Sequence, residues 1–542
     1  MTGMVPGYRA LAGAVRALGS DPVFGLMGEA NLAWVSCLTE ELGGRFLSSR
    51  HEAGAICMAV GHQVATGRPS ICTVTHGPGL MNGLTALKAA VDLGAAITVI
   101  TADTPRDRPL HLQRADHRLL ARAAGAHYVQ PTDPDDLTSA VLDAAHSAGR
   151  NARPVLLNLP LEWLYEQREW RGPGPTPNGD AAPPPEARSE CVADIVALLA
   201  EADRPLILAG RGAWRSGAEP VLPALSARFG APVVTTLAAR GLAAGVAVGA
   251  VGGYGADHAN ALAQSCDLVI ALGASLNEYT TDGGRLFRGA TVVQVDTDEA
   301  AFGRHGDRPG HAVLGDVAGV VRQLLATTPD RPAPSWAPEA AEPRPEPVPG
   351  PGVPSGVDPR AAMRVLDEEL PAGRRVIVDG GHCAEWPSRY LSVSAPGRFL
   401  QSTGAGAIGH ALGLGIGAAL GDRDEPTVVV LGDGALMMSA PELDTAVRSR
   451  ARLMIVVLDD AAYGAEVHRL HALGLPPGQA TFQPVKAAAL MAAVGGRAVR
   501  VTDLADLRSA ARDWSGTGPL LLDVPVDPAI VSRRLQPITG VT

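Results

Sequence analysis

No two cysteines of this chain form a Cys-X-X-Cys pair: Cys37, Cys57, Cys72, Cys191, Cys266 and Cys383 are scattered along it. Scattered thiols fit reduced side chains, so a disulfide framework is not expected and a cytoplasmic location is. Positive charge is in short supply, with 46 Lys and Arg against 56 Asp and Glu and a formal net charge of −10. That balance argues against a nucleic-acid partner. No uninterrupted apolar run is long enough to span a bilayer, and the N-terminus carries no basic-then-apolar signal pattern, so no membrane partner is expected. No short-period repeat is present, which sets aside solenoid architectures.

What is present is a large globular composition. The chain has 542 residues, 46% apolar and 19% charged, too many for one core, so about two to four domains are expected. The 63 glycines and 44 prolines point to tight turns and linkers. Over residues 1–170, apolar strands alternate with helices: VFGLMG (23–28), the strand-then-helix segments at 46–67 and 70–94, AAITVITAD (95–103) and PVLLNLP (154–160). Residues 190–328 repeat the alternation with PLILAG, APVVTT, DLVIALG and TVVQVD, and residues 358–542 form a third such unit. Proline-rich stretches at 171–189 and 329–357 read as linkers. The expected fold class is α/β, with three doubly wound parallel-sheet domains.

The stretch at 432–460, GDGALMMSAPELDTAVRSRARLMIVVLDD, organises the rest. An apolar strand precedes it, a helix-like segment follows Gly434, and a second apolar strand ends it. Asp433 and Asp460 therefore fall at the carboxyl ends of two strands, where ligands bind in open parallel sheets. Two carboxylates and a nearby carbonyl make an oxygen site suited to Mg²⁺ or a similar ion such as Ca²⁺ or Mn²⁺. Gly432 and Gly434 let the backbone approach a phosphate. The same pattern also fits two ordinary strand-end aspartates.

This stretch resembles the thiamine diphosphate signature, which opens with Gly-Asp-Gly and closes with a pair of asparagines about thirty residues on. Here the closing pair is Asp459–Asp460, a departure that keeps an oxygen ligand but adds charge beside a diphosphate. With three α/β units, nearly the whole chain is similar to the acetolactate synthase and pyruvate decarboxylase superfamily. The resemblance implies thiamine diphosphate and a divalent metal held by Asp433, Asp460 and the carbonyl of Ala462. It also places Ala435, Tyr463 and Gly464 along the diphosphate.

Other segments carry the resemblance further. RHEAGAICMAVGHQVATG, at 50–67, looks like the pyrimidine-domain motif, which implies that Glu52 bonds the aminopyrimidine and drives loss of the C2 proton. A helix-start glutamate would be the plainer reading. THGPGLMNGLTAL places His76 at a turn the family sets beside the thiazolium, where an imidazole can move protons. PLHLQRADHRLL maps Gln113 to an active-site glutamine and His111 near a catalytic histidine position. VDGGHCAEW puts His382 and Cys383 near the diphosphate, though Cys383 also fits a small buried hydrophobe. TGAGAIGHALGLGIGAALG maps the Gly406 carbonyl to the 4′-amino group and Ile408 to the apolar wedge that bends the cofactor; its glycine density also fits close helix packing.

Glu466 lies six residues beyond Asp460, the spacing of the catalytic glutamate in pyruvate decarboxylases. The expected reaction is decarboxylation of a small 2-oxo acid, with the enamine protonated to an aldehyde or added to an acceptor aldehyde or ketone. Two rivals are an FAD-dependent acetohydroxy acid synthase and a non-catalytic homologue of the fold. GRGAWRSG at 210–217 resembles the start of an FAD site, but the segment after Leu237 is shorter than the flavin-binding version, so FAD is not favoured. Retention of Glu52 and Asp433 argues against loss of catalysis. Because those two residues lie in different domains, and the family builds each site from two subunits, a homodimer or dimer of dimers is expected.

Overall fold

The computed structural model describes residues 3–170, 184–306, 309–329, 335–336, 356–402 and 404–535. Most of both proline-rich stretches falls outside the described residues. Three six-stranded parallel sheets carry the chain. The first runs in the order Phe46–Ser48, Val23–Gly25, Ser70–Thr73, Ile97–Asp103, Val155–Pro160, His127–Val129. The second runs Ala247–Ala250, Val233–Thr235, Pro205–Ala209, Leu268–Leu272, Thr291–Asp296, His311–Leu314. The third runs Phe399–Gln401, Arg375–Val378, Thr427–Gly432, Leu453–Asp459, Leu520–Pro525, Arg497–Arg500. Among the described residues no helix is long and apolar enough to cross a membrane.

The first and third sheets share one topology. In each, the earliest strand sends the chain outward to an edge before it returns on the other side. This creates a crevice at the strands' carboxyl ends where ligands bind. In the first sheet the crevice lies between Val23–Gly25 and Ser70–Thr73, and in the third between Arg375–Val378 and Thr427–Gly432. Central strands are apolar on both faces because helices cover both; every residue of Leu453–Asp459 is buried.

The structure corrects several sequence expectations. The strand expected over 23–28 ends at Gly25, because Asn31 folds the next residues into a turn: its Nδ2 donates to the Leu26 carbonyl (2.9 Å) and its Oδ1 accepts from the Gly28 amide (2.8 Å). The single helix expected after Gly434 is two, Asp433–Ser439 and Glu442–Ser449, broken at Ala440 and Pro441. Short strands such as His127–Val129, Ala247–Ala250 and His311–Leu314, and the antiparallel pair Gly3–Pro6 with Gln167–Trp170, escape pattern reading. Val313 and Arg168 apart, the side chains described in them are only partly buried or exposed, and they show no long apolar run.

One contact fixes the first domain on the third. The helix Ala411–Gly421, buried over all but its last residue, lies against the helix Glu52–Thr66. A Cβ on Gly61 would sit 1.9 Å from the Leu414 carbonyl oxygen, and one on Gly417 would sit 1.9 Å from that of Met58. Only glycine lets the two backbones meet this closely. Close packing is thus one reason for the glycine density in 403–421.

Candidate active site

At the carboxyl ends of the third sheet lies a cavity of about 290 Å³. The turn after Arg375–Val378 contributes His382 and Cys383; the turn after Thr427–Gly432 contributes Gly432, Asp433, Gly434 and Ala435. From beyond Leu453–Asp459 come Asp460, Ala462, Tyr463, Gly464 and Glu466, and Ile408 lines the wall. Gly406 is the one cofactor-site candidate of this domain outside the lining: it stands in the turn Gly404–Gly406 with φ of 69°. That turn is tied to the first domain, because the Ala405 amide donates to Asp92 Oδ2 at 2.9 Å.

Asp433 opens the helix Asp433–Ser439 and is 1% exposed. Its Oδ1 is buried with no hydrogen-bond partner among the described residues. Burial, then the negative charges of Asp460 and Asp459, push its carboxyl well above the usual carboxylate range. Two nearby imidazoles do not relieve this. His382 Nε2 accepts from the Ser532 amide (3.1 Å), so the ring proton sits on Nδ1, which faces Asp460 Oδ2 at 3.3 Å. His468 packs edge-on against His382, and burial with that neighbour pulls its pKa down to about 4. An orphaned carboxylate oxygen, a second carboxylate and a polar loop fit a hard divalent cation. Gly464 keeps the loop open: a Cβ there would lie 2.3 Å from Asp460 Oδ2 and 2.8 Å from His382 Nδ1.

The Asp459–Asp460 pair divides its work. Asp459 turns from the cavity, with Oδ2 3.2 Å from Arg500 Nη1 and Oδ1 accepting from the Ala461 amide at 3.1 Å. Of the two, only Asp460 lines the cavity. Cys383 is a buried small side chain, as one reading expected. It lines the cavity and is buried, and burial followed by nearby carboxylates pushes its thiol far up, so it stays protonated. Glu466, on the first turn of Gly464–Ala472, lines the mouth with 56% of its side chain exposed and Arg469 3.9 Å away.

The first domain holds a second cluster at its own crevice. Glu52 begins its helix buried, and its Oε2 accepts from Asn82 Nδ2 at 3.1 Å. His76 is fully buried; its Nε2 meets Gln113 Oε1 at 2.9 Å and Glu29 Oε2 at 3.7 Å. Its Nδ1 has no partner among the described residues, and burial lowers its pKa. The His111 ring stands edge-on to His76 at 5.6 Å, and its Nδ1 accepts from the Gln113 amide. No residue of this cluster lines the third domain's cavity. Within one chain the structure brings together the metal-side candidates, and separately Glu52, His76, His111 and Gln113.

Three contributors lay outside the sequence reading. Glu29 follows the first strand, and the strand-end argument used for Asp433 would have found it. His117 orders the His76 turn: its Nε2 accepts from the Gly77 amide (3.1 Å) and its Nδ1 donates to Asn158 Oδ1 (2.9 Å). Asp379 joins two loops of the cavity, accepting from the amides of Gly380 (2.7 Å), Gly409 (3.1 Å) and Ala411 (2.9 Å).

Comparison with known proteins agrees along the chain. Residues 6–121 match the thiamine pyrophosphate enzyme N-terminal TPP binding domain, residues 192–324 the central domain, and residues 379–524 the C-terminal TPP binding domain. The chloroplastic acetolactate synthase 1 of Nicotiana tabacum is 29% identical over 551 aligned positions, covering 96% of this chain and 81% of that protein. The acetolactate synthase isozyme 2 large subunit of Escherichia coli K12 is 29% identical, covering 83% of this chain and 82% of its own. In fold, the benzoylformate decarboxylase of Polynucleobacter necessarius superposes with a TM-score of 0.81 at 20% identity, over 97% of this chain and 99% of that one.

Proposed function

The chain belongs to the thiamine pyrophosphate enzyme family, and from that premise we propose that it decarboxylates a small 2-oxo acid. The remainder of the substrate leaves as an aldehyde or joins a second carbonyl compound. The observation that carries the reading is the shared cavity in which Asp433 and Asp460 lie with Glu466 at the mouth. Thiamine diphosphate, when bound, supplies the electron sink that loss of CO₂ requires. Asp433, Asp460 and the Ala462 carbonyl would hold a divalent cation, with His382 orienting Asp460. Ile408 presents a stiff apolar side chain as a wedge, next to the turn that carries Gly406. Glu52, buried beside Asn82, would hydrogen-bond the aminopyrimidine of the bound cofactor and assist loss of its C2 proton. Glu466 moves a proton at the cavity mouth.

A second reading, carboligation, is favoured by the His76–Gln113 hydrogen bond of 2.9 Å. That pair places an amide beside an imidazole held neutral by burial, an arrangement that orients an acceptor carbonyl without adding charge. The curated relatives named acetolactate synthase support the same direction. A panel of 2-oxo acids, with CO₂ release and products followed with and without an acceptor aldehyde, tests both. No CO₂ from any member would reject decarboxylation, and a product that forms only with the acceptor selects carboligation.

That Glu52 does not line the third-domain cavity of its own chain supports a site that takes its first-domain cluster from a second copy of the chain. Light scattering on the active enzyme is expected to give a dimer or larger. A fully active monomer would rule this out.

A further inference from the structure

A second cavity, of about 500 Å³, opens at the other end of the third sheet. Its walls come from residues at the amino ends of the strands: Arg452 precedes Leu453–Asp459, Arg497 opens Arg497–Arg500, and Pro519 precedes Leu520–Pro525. The cofactor cavity lies at the carboxyl ends of the same sheet. A seven-residue strand therefore holds the two apart by on the order of 20 Å. The proposed reaction does not use this face.

The chain is acidic overall, yet four arginines line this one cavity: Arg423, Arg450, Arg452 and Arg497. Arg452 is partly committed, with Nη1 donating to the Arg423 carbonyl (3.2 Å) and the Asp424 carbonyl (2.5 Å). Among the described residues its Nε is buried without a partner. Among the described residues no carboxylate pairs with Arg423, Arg450 or Arg497. The plainer account is that these cations answer the negative ends of two helices, Ala411–Gly421 and Glu442–Ser449, which finish here. Each helix end is worth about half a charge. Two ends therefore offset roughly one arginine and leave about three unanswered. An anion bound in the cavity could therefore take N–H donors from several of them at once.

The rest of the lining limits what the anion is. Ala419, Leu420, Val447 and Pro519 supply an apolar wall. The volume falls in the range of small-molecule sites, roughly 300–1,000 Å³, too large for a lone inorganic anion. Guanidinium groups take phosphate oxygens through paired N–H bonds. We propose that this cavity is a second ligand site, for an organic phosphate of nucleotide size, with the arginines on its phosphates and the apolar wall against its body.

The test uses holoenzyme saturated with thiamine diphosphate and excess Mg²⁺, so that the cofactor cavity is filled. ADP, inorganic pyrophosphate and adenosine are titrated separately by calorimetry. ADP is expected to bind more tightly than either fragment. The double variant Arg450→Glu/Arg497→Glu is expected to weaken ADP about ten-fold or more, the scale of lost charge-assisted hydrogen bonds. Its turnover should stay at the wild-type value, because neither arginine lies near the cofactor cavity, while its melting temperature should fall slightly, because Arg450 caps the negative end of Glu442–Ser449. The single variant Arg423→Ala is expected to weaken ADP in the same direction. Absence of ADP binding at millimolar concentration, or equal affinity in wild type and double variant, would overturn the site. Pyrophosphate binding as tightly as ADP would overturn the role of the apolar wall.

Discussion

Glu442 of the third domain accepts, through Oε1, the backbone amides of Arg50 (3.1 Å) and His51 (3.0 Å), immediately before the helix that starts at Glu52. The link anchors the N-terminus of the Glu52 helix to the domain that carries the metal-side cavity. Thr445 donates to the other oxygen at 2.6 Å, so the carboxylate is filled on both sides. Removing it leaves two amides without an acceptor. Glu442→Ala is expected to lower unfolding free energy by about 1–3 kcal/mol, the range for a lost buried acceptor. Urea unfolding would measure this, and an unchanged midpoint would show that the link contributes nothing.

A second prediction concerns the metal. Asp433 has an unpartnered buried oxygen and a neighbour of like charge, which a divalent cation relieves. The apoprotein is expected to regain thiamine diphosphate only with Mg²⁺ or a similar ion, and Asp433→Ala to abolish that recovery. Asp460→Asn keeps an oxygen ligand and removes one charge, so it should retain cofactor recovery with weaker metal affinity. Calorimetric titration of the apoproteins reads both; wild-type cofactor affinity in Asp433→Ala would remove Asp433 from the metal site.

The third prediction is a pH dependence remote from that site. His62 is buried beside Phe24, with Nδ1 2.7 Å from Ser70 Oγ. Burial, then the positive charges of Arg68 and Arg45, lower its pKa from 6.5 to about 4, against a smaller opposite pull from Asp21. The unfolded chain therefore takes up the proton first. His62 contributes its full stability above pH 6.5 and loses it as pH falls towards 4. The loss amounts to about 3 kcal/mol at most. In His62→Gln this part of the acid slope should disappear. If melting temperatures of variant and wild type run parallel from pH 7 to 4, the imidazole does not stay neutral on folding.

The sequence was most legible where a strand ends in chemistry. Asp433, Asp460, His382, Cys383 and Glu466 line one cavity because continuous apolar runs locate the strand ends and parallel sheets put ligands there. What stayed hidden depends on contacts between distant segments. Ser532 fixes the tautomer of His382 from 150 residues away, and His117 orders a turn 40 residues before it. Neither has a local pattern. Asp379 lay inside a quoted motif, yet its role needs three amides from two loops. The arginine-lined cavity is invisible in the chain order, since its four cations come from three separate stretches.

Glu52 and Glu466 occupy opposite environments, and their variants are expected to fail differently. Glu52 is 8% exposed at the start of a helix locked to the third domain, with Asn82 as its hydrogen-bond donor. Glu466 is over half exposed at the mouth of the cavity, on a helix that begins just past the metal loop. A buried carboxyl is shielded from proton exchange with water, which suits a hydrogen bond that activates the cofactor. An exposed one exchanges readily, which suits delivery of a proton to a departing product. Glu52→Gln should therefore slow hydrogen–deuterium exchange at the cofactor C2 and depress every later step with it. Glu466→Gln should leave that exchange near wild type while lowering turnover about 10²–10⁴-fold, the usual contribution of one acid–base group. NMR after acid quench measures the exchange, and steady-state kinetics with the identified 2-oxo acid measures the turnover. Normal turnover in Glu466→Gln would take protonation away from Glu466 and leave the proton transfers to His76, His111 and Gln113, with carboligation as the better reading.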